Sequence, residues 1–199
     1  FNPSLKGLRR KLDEGLIGRV MQISTRRVGP FPSRVNDVGV VLDLASHDID
    51  LVRWISGHDY SRLDSVTSSP LPGKHEDMFL ASGTLSNAIL VSHEVNWITP
   101  TKLRQTAVIG EKGMLLADSL RAELRLFKNG GVGSDWDMYS NFRGVTEGEE
   151  IKFVIPVKEP LVQEHEAMIT ELESYGATDM CSLEEGLEVM RVIEEITRD

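Results

Sequence analysis

The sequence holds a single cysteine, Cys181, so no disulfide can close within the chain and nothing points to an oxidising compartment. It has no run of about 18 apolar residues, which excludes a membrane-spanning helix, and no signal-peptide pattern, so a cytoplasmic location is expected. There is no G-x-G-x-x-G, no G-x-x-x-x-G-K-[ST], no C-x-x-C, no H-E-x-x-H and no G-x-S-x-G. Gly130-Gly131-x-Gly133 is too short to cradle a dinucleotide and sits in a polar stretch. No residue is therefore assigned to cofactor binding or to a metal.

What remains is ordinary globular material. Of 199 residues, 40% are hydrophobic and 27% charged, and a chain of this length can bury roughly 70% of its unfolded surface in one domain. The net charge of −9 is unevenly spread: residues 1–34 hold eight basic residues against two acids, and the remainder is strongly acidic. An acidic body argues against nucleic acid as the main partner. Arg9, Arg10 and Lys11 read as a solvated helix face. The chain opens on Phe1 rather than methionine, which suggests a piece of a longer protein.

Asn2-Pro3 is a helix-start signature, and Leu5, Leu8, Leu12 and Leu16 form an amphipathic stripe closed by Gly15 and Gly18. Residues 19–28 favour a strand. Gly29-Pro30-Phe31-Pro32-Ser33 should be a loop, because two prolines so close oppose a central strand. A helix is expected over 39–56, ended by Gly57. Strands follow over 62–69, 76–85, 88–97, 102–110, 113–118, 121–128 and 150–157, with tight turns at Ser86-Asn87 and Glu111-Lys112-Gly113. Residues 129–149 read as a loop, and helices over about 160–175 and 182–198 finish the chain. Ser182 and Glu185 form a capping box. The expected fold is a single α+β domain over 1–199. It has a large, open, mostly antiparallel (mixed) sheet with helices on one face and the other face left for oligomerisation.

The strongest chemical pattern lies in the middle helix, at Asp43-Leu44-Ala45-Ser46-His47-Asp48-Ile49-Asp50. Asp43 and His47 stand four residues apart and share a helix face, which Asp50 and Trp54 extend. A carboxylate one turn from an imidazole can fix its tautomer and raise its basicity, as a histidine general base requires. A surface Asp–His pair of little energetic weight has the same spacing. A metal reading of Asp43, His47 and Asp50 lacks a further strong ligand. His93 reads as a packed strand residue, and Trp54 and Trp97 as core or interface.

The stretch from Val38 to Asp50 resembles the signature of the Gfo/Idh/MocA oxidoreductases: a glycine, a few apolar residues, then D-x-x-x-H-x-x-D. Phe1-Asn2-Pro3 resembles the family's helix start just after its dinucleotide-binding domain. Val108-Ile109-Gly110-Glu111-Lys112-Gly113-Met114-Leu115 resembles its G-x-x-G hairpin. Lys158-Glu159-Pro160-Leu161 and Ser182-Leu183-Glu184-Glu185-Gly186-Leu187 resemble the openings of its last two helices. These pieces occur in the family's order over nearly the whole chain.

The resemblance implies an α+β domain that holds substrate against NAD or NADP. The cofactor would be bound mainly by an N-terminal Rossmann domain that this sequence does not match. The chain alone is then expected to be inactive, and the full-length protein to be a dehydrogenase. Asp43 and His47 match the catalytic pair. Arg26-Arg27-Val28-Gly29-Pro30-Phe31-Pro32-Ser33-Arg34 and Asn96-Trp97-Ile98-Thr99-Pro100-Thr101-Lys102 look most like the UDP-N-acetylglucosamine 3-dehydrogenase branch. That likeness makes Arg26, Arg34, Asn96 and Lys102 the substrate-binding candidates. The implied partners are a sugar or UDP-sugar and a second copy of the chain, as dimer or tetramer through the sheet. The alternative is a non-catalytic binding or scaffold domain of the same fold.

Overall fold

Asn2 sets the first helix. Its Oδ1 accepts from the backbone N–H groups of Ser4 and Leu5, and Pro3 occupies a first-turn position where a missing N–H costs nothing. The computed structural model describes residues 1–32, 35, 37–130, 147–156, 158–174 and 180–197. The elements are α1 (Pro3–Asp13), β1 (Val20–Pro30), a π-helical turn (Val41–Ala45), α2 (Ser46–Ser56), β2 (Tyr60–Ser68), β3 (Met78–Leu85), β4 (Leu90–Asn96), β5 (Ile98–Gly110), β6 (Gly113–Asp118), β7 (Glu123–Asn129), β8 (Glu147–Phe153), α3 (Pro160–Ser174) and α4 (Leu183–Ile196).

The eight strands form one sheet in the order β2-β3-β4-β1-β5-β6-β7-β8. β1 is the pivot: it pairs parallel with β4 and antiparallel with β5, and every other neighbouring pair is antiparallel. Alternation along β1 sorts the two faces. Ile23, Thr25 and Arg27 turn toward the helices, whereas Gln22, Ser24 and Arg26 turn to the open face. One core cluster joins Leu8 of α1 and Val52 of α2 to Ile23, Val108, Leu115 and Leu124. A second joins Val41 and Ala45 of the π turn and Ile49 of α2 to Phe79, Val95 and α4's Val189 and Ile193. Fully burying a Leu, Ile, Val or Phe side chain in these clusters contributes about 1.5–3 kcal/mol. This is the α+β domain with a mixed, mostly antiparallel sheet that the pattern predicts.

Four expectations need correction. The loop expected from Gly29 begins later, because β1 continues through Pro30. The parallel pairing with β4 stops at Val28, and a register shift between Val28 and Pro30 leads to a last pair with Ile98. Beyond Val28, β1 is locally an edge, where proline's missing donor is tolerated. The middle helix does not start as an α-helix but through the π turn. Arg9 is not a solvated charge: its Nη1 donates to the carbonyls of Trp54 and Ile55, capping the C-terminal end of α2. The expected 129–149 loop is shorter at both ends, since Asn129 closes β7 and Glu147 opens β8, the two residues pairing with each other; residues 131–146 lie outside the described residues.

Candidate functional site around His47

Gly39 permits the start of the helix that carries the D-x-x-x-H pattern. The Glu76 carboxylate lies where a Gly39 Cβ would stand, with its atoms 1.9–2.1 Å from that position. From there Glu76 Oε1 accepts the N–H of Val41 at 3.0 Å, and the Glu76 carbonyl accepts that of Val40 at 2.9 Å. A carboxylate at a helix start satisfies an orphan donor and complements the helix dipole. The π turn follows, with the Ser46 N–H donating back five residues to the Val41 carbonyl. Such turns recur beside functional groups, and this one directly precedes His47.

His47 is exposed and Asp43 half-buried. No hydrogen bond joins them among the described residues, so their relation is through space. The carboxylate that is locked in place is Asp48, only 2% exposed. Arg27 reaches it from β1, with Nε and Nη2 both 2.7 Å from Oδ1. Asp48 Oδ2 is buried without a hydrogen-bond partner. Arg104 of β5 stands directly opposite Arg27 in the register.

These charges act on the His47 imidazole. Partial burial of the ring, then the Arg27 charge, lower its pKa below the ordinary histidine value; Asp48 and Asp43 oppose the shift, and Arg104 adds to it. At neutral pH the ring is therefore held in its neutral, proton-accepting form. Asp50, half-buried on the same helix, has its pKa raised, mainly by burial.

Beneath this layer lies a buried polar chain. His93 Nδ1 is 2.7 Å from Thr25 Oγ1, and its Nε2 is 2.9 Å from the Tyr60 hydroxyl. Burial drives the His93 pKa down to about 4 and the Tyr60 pKa up. His93 is thus a packed strand residue with both ring nitrogens satisfied.

The substrate-binding candidates are not brought to one place. Arg26 lies on the open face, its Nε 2.8 Å from Glu94, on the opposite side of the sheet from His47. Strand alternation imposes this, since Arg27 takes the helix side. Asn96 is 5% exposed, and its Oδ1 accepts from the N–H groups of Ile98 and Thr99 and from Thr99 Oγ1. That geometry is an Asx turn holding the β4–β5 connection. Lys102 is exposed, its stem beside Gly29. Arg34 lies outside the described residues. Sequence reading passed over Arg27, Asp48 and Arg104. The available signals were Asp48's place next to His47 and the alternation that puts Arg27 opposite to Arg26.

Comparison with known proteins agrees with this fold. A family model, the GFO/IDH/MocA C-terminal domain, matches residues 5–116, more than half of the chain. Inositol 2-dehydrogenase 2 of Saccharopolyspora erythraea is 30% identical over 100 residues, 48% of this chain and 29% of that protein. UDP-N-acetylglucosamine 3-dehydrogenase GnnA from Acidithiobacillus ferrooxidans superposes with a TM-score of 0.80 at 18% identity, covering 97% of this chain and 59% of that one. Levoglucosan dehydrogenase, solved in complex with NADH and levoglucosan, superposes with a TM-score of 0.78 at 15% identity, covering 99% of this chain and 60% of that one. The chain thus spans under a third of the curated relative and some three-fifths of these two solved structures. On the family match and the shared fold, the chain belongs to the GFO/IDH/MocA C-terminal domain family.

Proposed function

We propose that this chain is the substrate-binding and catalytic part of an NAD(P)-dependent dehydrogenase that oxidises a hydroxyl of a sugar or UDP-sugar. The observation that carries the reading is His47: an exposed imidazole, held neutral by its surroundings, on the helix that bears the family's D-x-x-x-H pattern. The named relatives are an inositol, a UDP-sugar and a levoglucosan dehydrogenase, which supports a polyhydroxylated substrate.

The described residues fit the hydroxyl side of this chemistry. They include no glycine-rich strand–turn–helix cradle for a dinucleotide, so NAD(P) would be held mainly by another domain. When bound, NAD or NADP would supply the acceptor for the hydride that leaves the substrate carbon. His47 accepts the proton of the hydroxyl on that carbon, leaving a ketone. Asp43 and Asp48 stabilise the imidazolium that forms, since both favour the charged ring. Arg27 holds Asp48 in place.

The test is NAD(P) reduction by the intact protein across a panel of sugars and UDP-sugars. Reduction with one substrate class, lost in His47→Ala, is the expected result. Sugar binding without reduction of NAD or NADP by any panel member would overturn it and leave a binding module. The isolated chain is expected to show no turnover and no NAD(P) binding by calorimetry. Saturable binding tighter than about 10 μM, roughly −7 kcal/mol, would contradict the assignment of the cofactor to another domain.

A further inference from the structure

Arg27 and Arg104 are direct partners across the antiparallel β1–β5 pair, on the face that carries His47. Opposite residues in such a ladder have Cβ atoms about 4.5–5.5 Å apart, and like charges there repel. A negative group between its members relieves that repulsion. Asp48 does this for only one of them: both of its short contacts come from Arg27, and both fall on Oδ1. The Arg104 guanidinium has no hydrogen bond or ion pair among the described residues, although it is half-buried. Burial and the Arg27 charge both work against its protonated form, while Asp48 and Asp43 favour it from beyond ion-pair distance. Five donors of Arg104 and the Nη1 of Arg27 are thus left beside the imidazole. No described carboxylate lies within ion-pair distance of the Arg104 guanidinium, Asp43 and Asp48 acting on it only from farther off, and planar guanidinium groups match carboxylate and phosphate oxygens.

We propose that Arg104, with Arg27 across the ladder, is the subsite for an oxyanion on the substrate, a carboxylate or a phosphate, while the substrate's hydroxyl reaches His47. This rests on the dehydrogenase reading for the role of His47, but the anion site itself does not. It moves anion recognition from Arg26, on the far face of the sheet, to the face that carries the chemistry. It also narrows the substrate class: a charged sugar, such as a sugar acid or sugar nucleotide, is held and a neutral one is not.

Binding to the intact protein is measured by calorimetry with glucuronate, UDP-N-acetylglucosamine and inorganic phosphate, and with glucose as the neutral probe. Arg104→Gln should weaken the charged probe that binds by tenfold or more, about 1.4 kcal/mol, with Arg104→Lys in between and Arg19→Gln unchanged. The same probe should raise the melting temperature of the wild type and not that of Arg104→Gln. Glucuronate and phosphate separate a carboxylate from a phosphate as the group recognised. In the wild type, the Arg104 Nε resonance should move on titration, a readout that needs no variant to fold. Charged probes that bind Arg104→Gln as tightly as wild type, or that leave the Arg104 resonance unmoved at saturation, would overturn the proposal. So would a loss seen in Arg26→Gln and not in Arg104→Gln. Anion binding without oxidation of any sugar keeps this site and removes the dehydrogenase reading. Oxidation of a neutral sugar at a rate untouched by Arg104→Gln does the reverse.

Discussion

Arg27 aims Nε and Nη2 at the same oxygen of Asp48, 2.7 Å each, and the other carboxylate oxygen is buried with no partner. The pair ties the central strand to the helix that carries His47. Removing one partner of a buried pair leaves the other charge uncompensated, at a cost of about 3–5 kcal/mol. Arg27's side chain keeps 15% of its exposure, so Asp48→Ala should lie at the lower end of that range in urea unfolding. Asp48 also raises the His47 pKa, so the same variant should lower it further in an NMR titration of the imidazole. An unchanged His47 titration would separate the two residues.

His47→Ala in the intact protein should reduce kcat by about 10²–10⁴-fold, the usual loss on removing a general base. Folding should be little affected, because the residue is exposed. The acidic limb of kcat/KM should fall below the ordinary histidine pKa, since burial and Arg27 hold the ring neutral. Asp43 opposes that shift, so Asp43→Asn should move the limb further toward acid and lower kcat by less. A limb that moves toward alkaline pH would contradict the sign.

His93 makes the fold sensitive to mild acid. Its folded pKa is about 4, below that of an unfolded histidine near 6.5. Above pH 6.5 the ring is neutral in both states and contributes no pH dependence. Below it the unfolded chain takes up the proton first, so stability drops as pH falls. Between pH 6.5 and 5 the loss should be on the order of 2 kcal/mol. Denaturant unfolding of His93→Gln should show a flatter slope over that window; a slope equal to wild type would assign the dependence to other groups.

Gly39→Ala should displace the Glu76 carboxylate, whose atoms occupy the space of the new Cβ. The Val41 N–H would lose its acceptor, a cost of about 1 kcal/mol, as for other helix caps. Glu76→Gln retains an acceptor and should cost less. Thermal unfolding of the two variants checks the order, and an unperturbed Gly39→Ala would show that the carboxylate does not hold the helix start.

The open sheet face should pair with a second copy of the chain. Leu80, Leu90 and Val66 lie on it 49%, 55% and 70% exposed, Leu80 and Val66 lining a hollow of about 570 Å³. Exposed apolar area of this kind marks an interaction surface, and two-fold closure is the common solution. Sedimentation should show a dimer or tetramer that Leu80→Arg weakens. A single-chain species at micromolar concentration would rule this out.

Local chemistry was readable along the chain. Asn2-Pro3 starts α1, and Ser182 and Glu185 cap α4 reciprocally. Gly57, at φ +70°, ends α2. Seven of the eight strands follow runs rich in aliphatic, β-branched and aromatic residues, because each depends on neighbours a few positions away; β8 opens on Glu147-Gly148-Glu149, in the stretch read as a loop, and is defined by its pairing with β7. Asp43 and His47 stood out for the same reason. The partnerships that shape the site were not readable. Arg27 faces Arg104, and Thr25 and Tyr60 enclose His93, only through the register of strands remote in sequence. Alternation gives each strand two faces but does not say which one meets the helices; packing of Ile23 against Leu8 and Val52 decides that. The same packing places Arg27 beside His47 and Arg26 behind the sheet. Local spacing singles out Asp43 and His47, and the burial of one sheet face selects the charges that surround them.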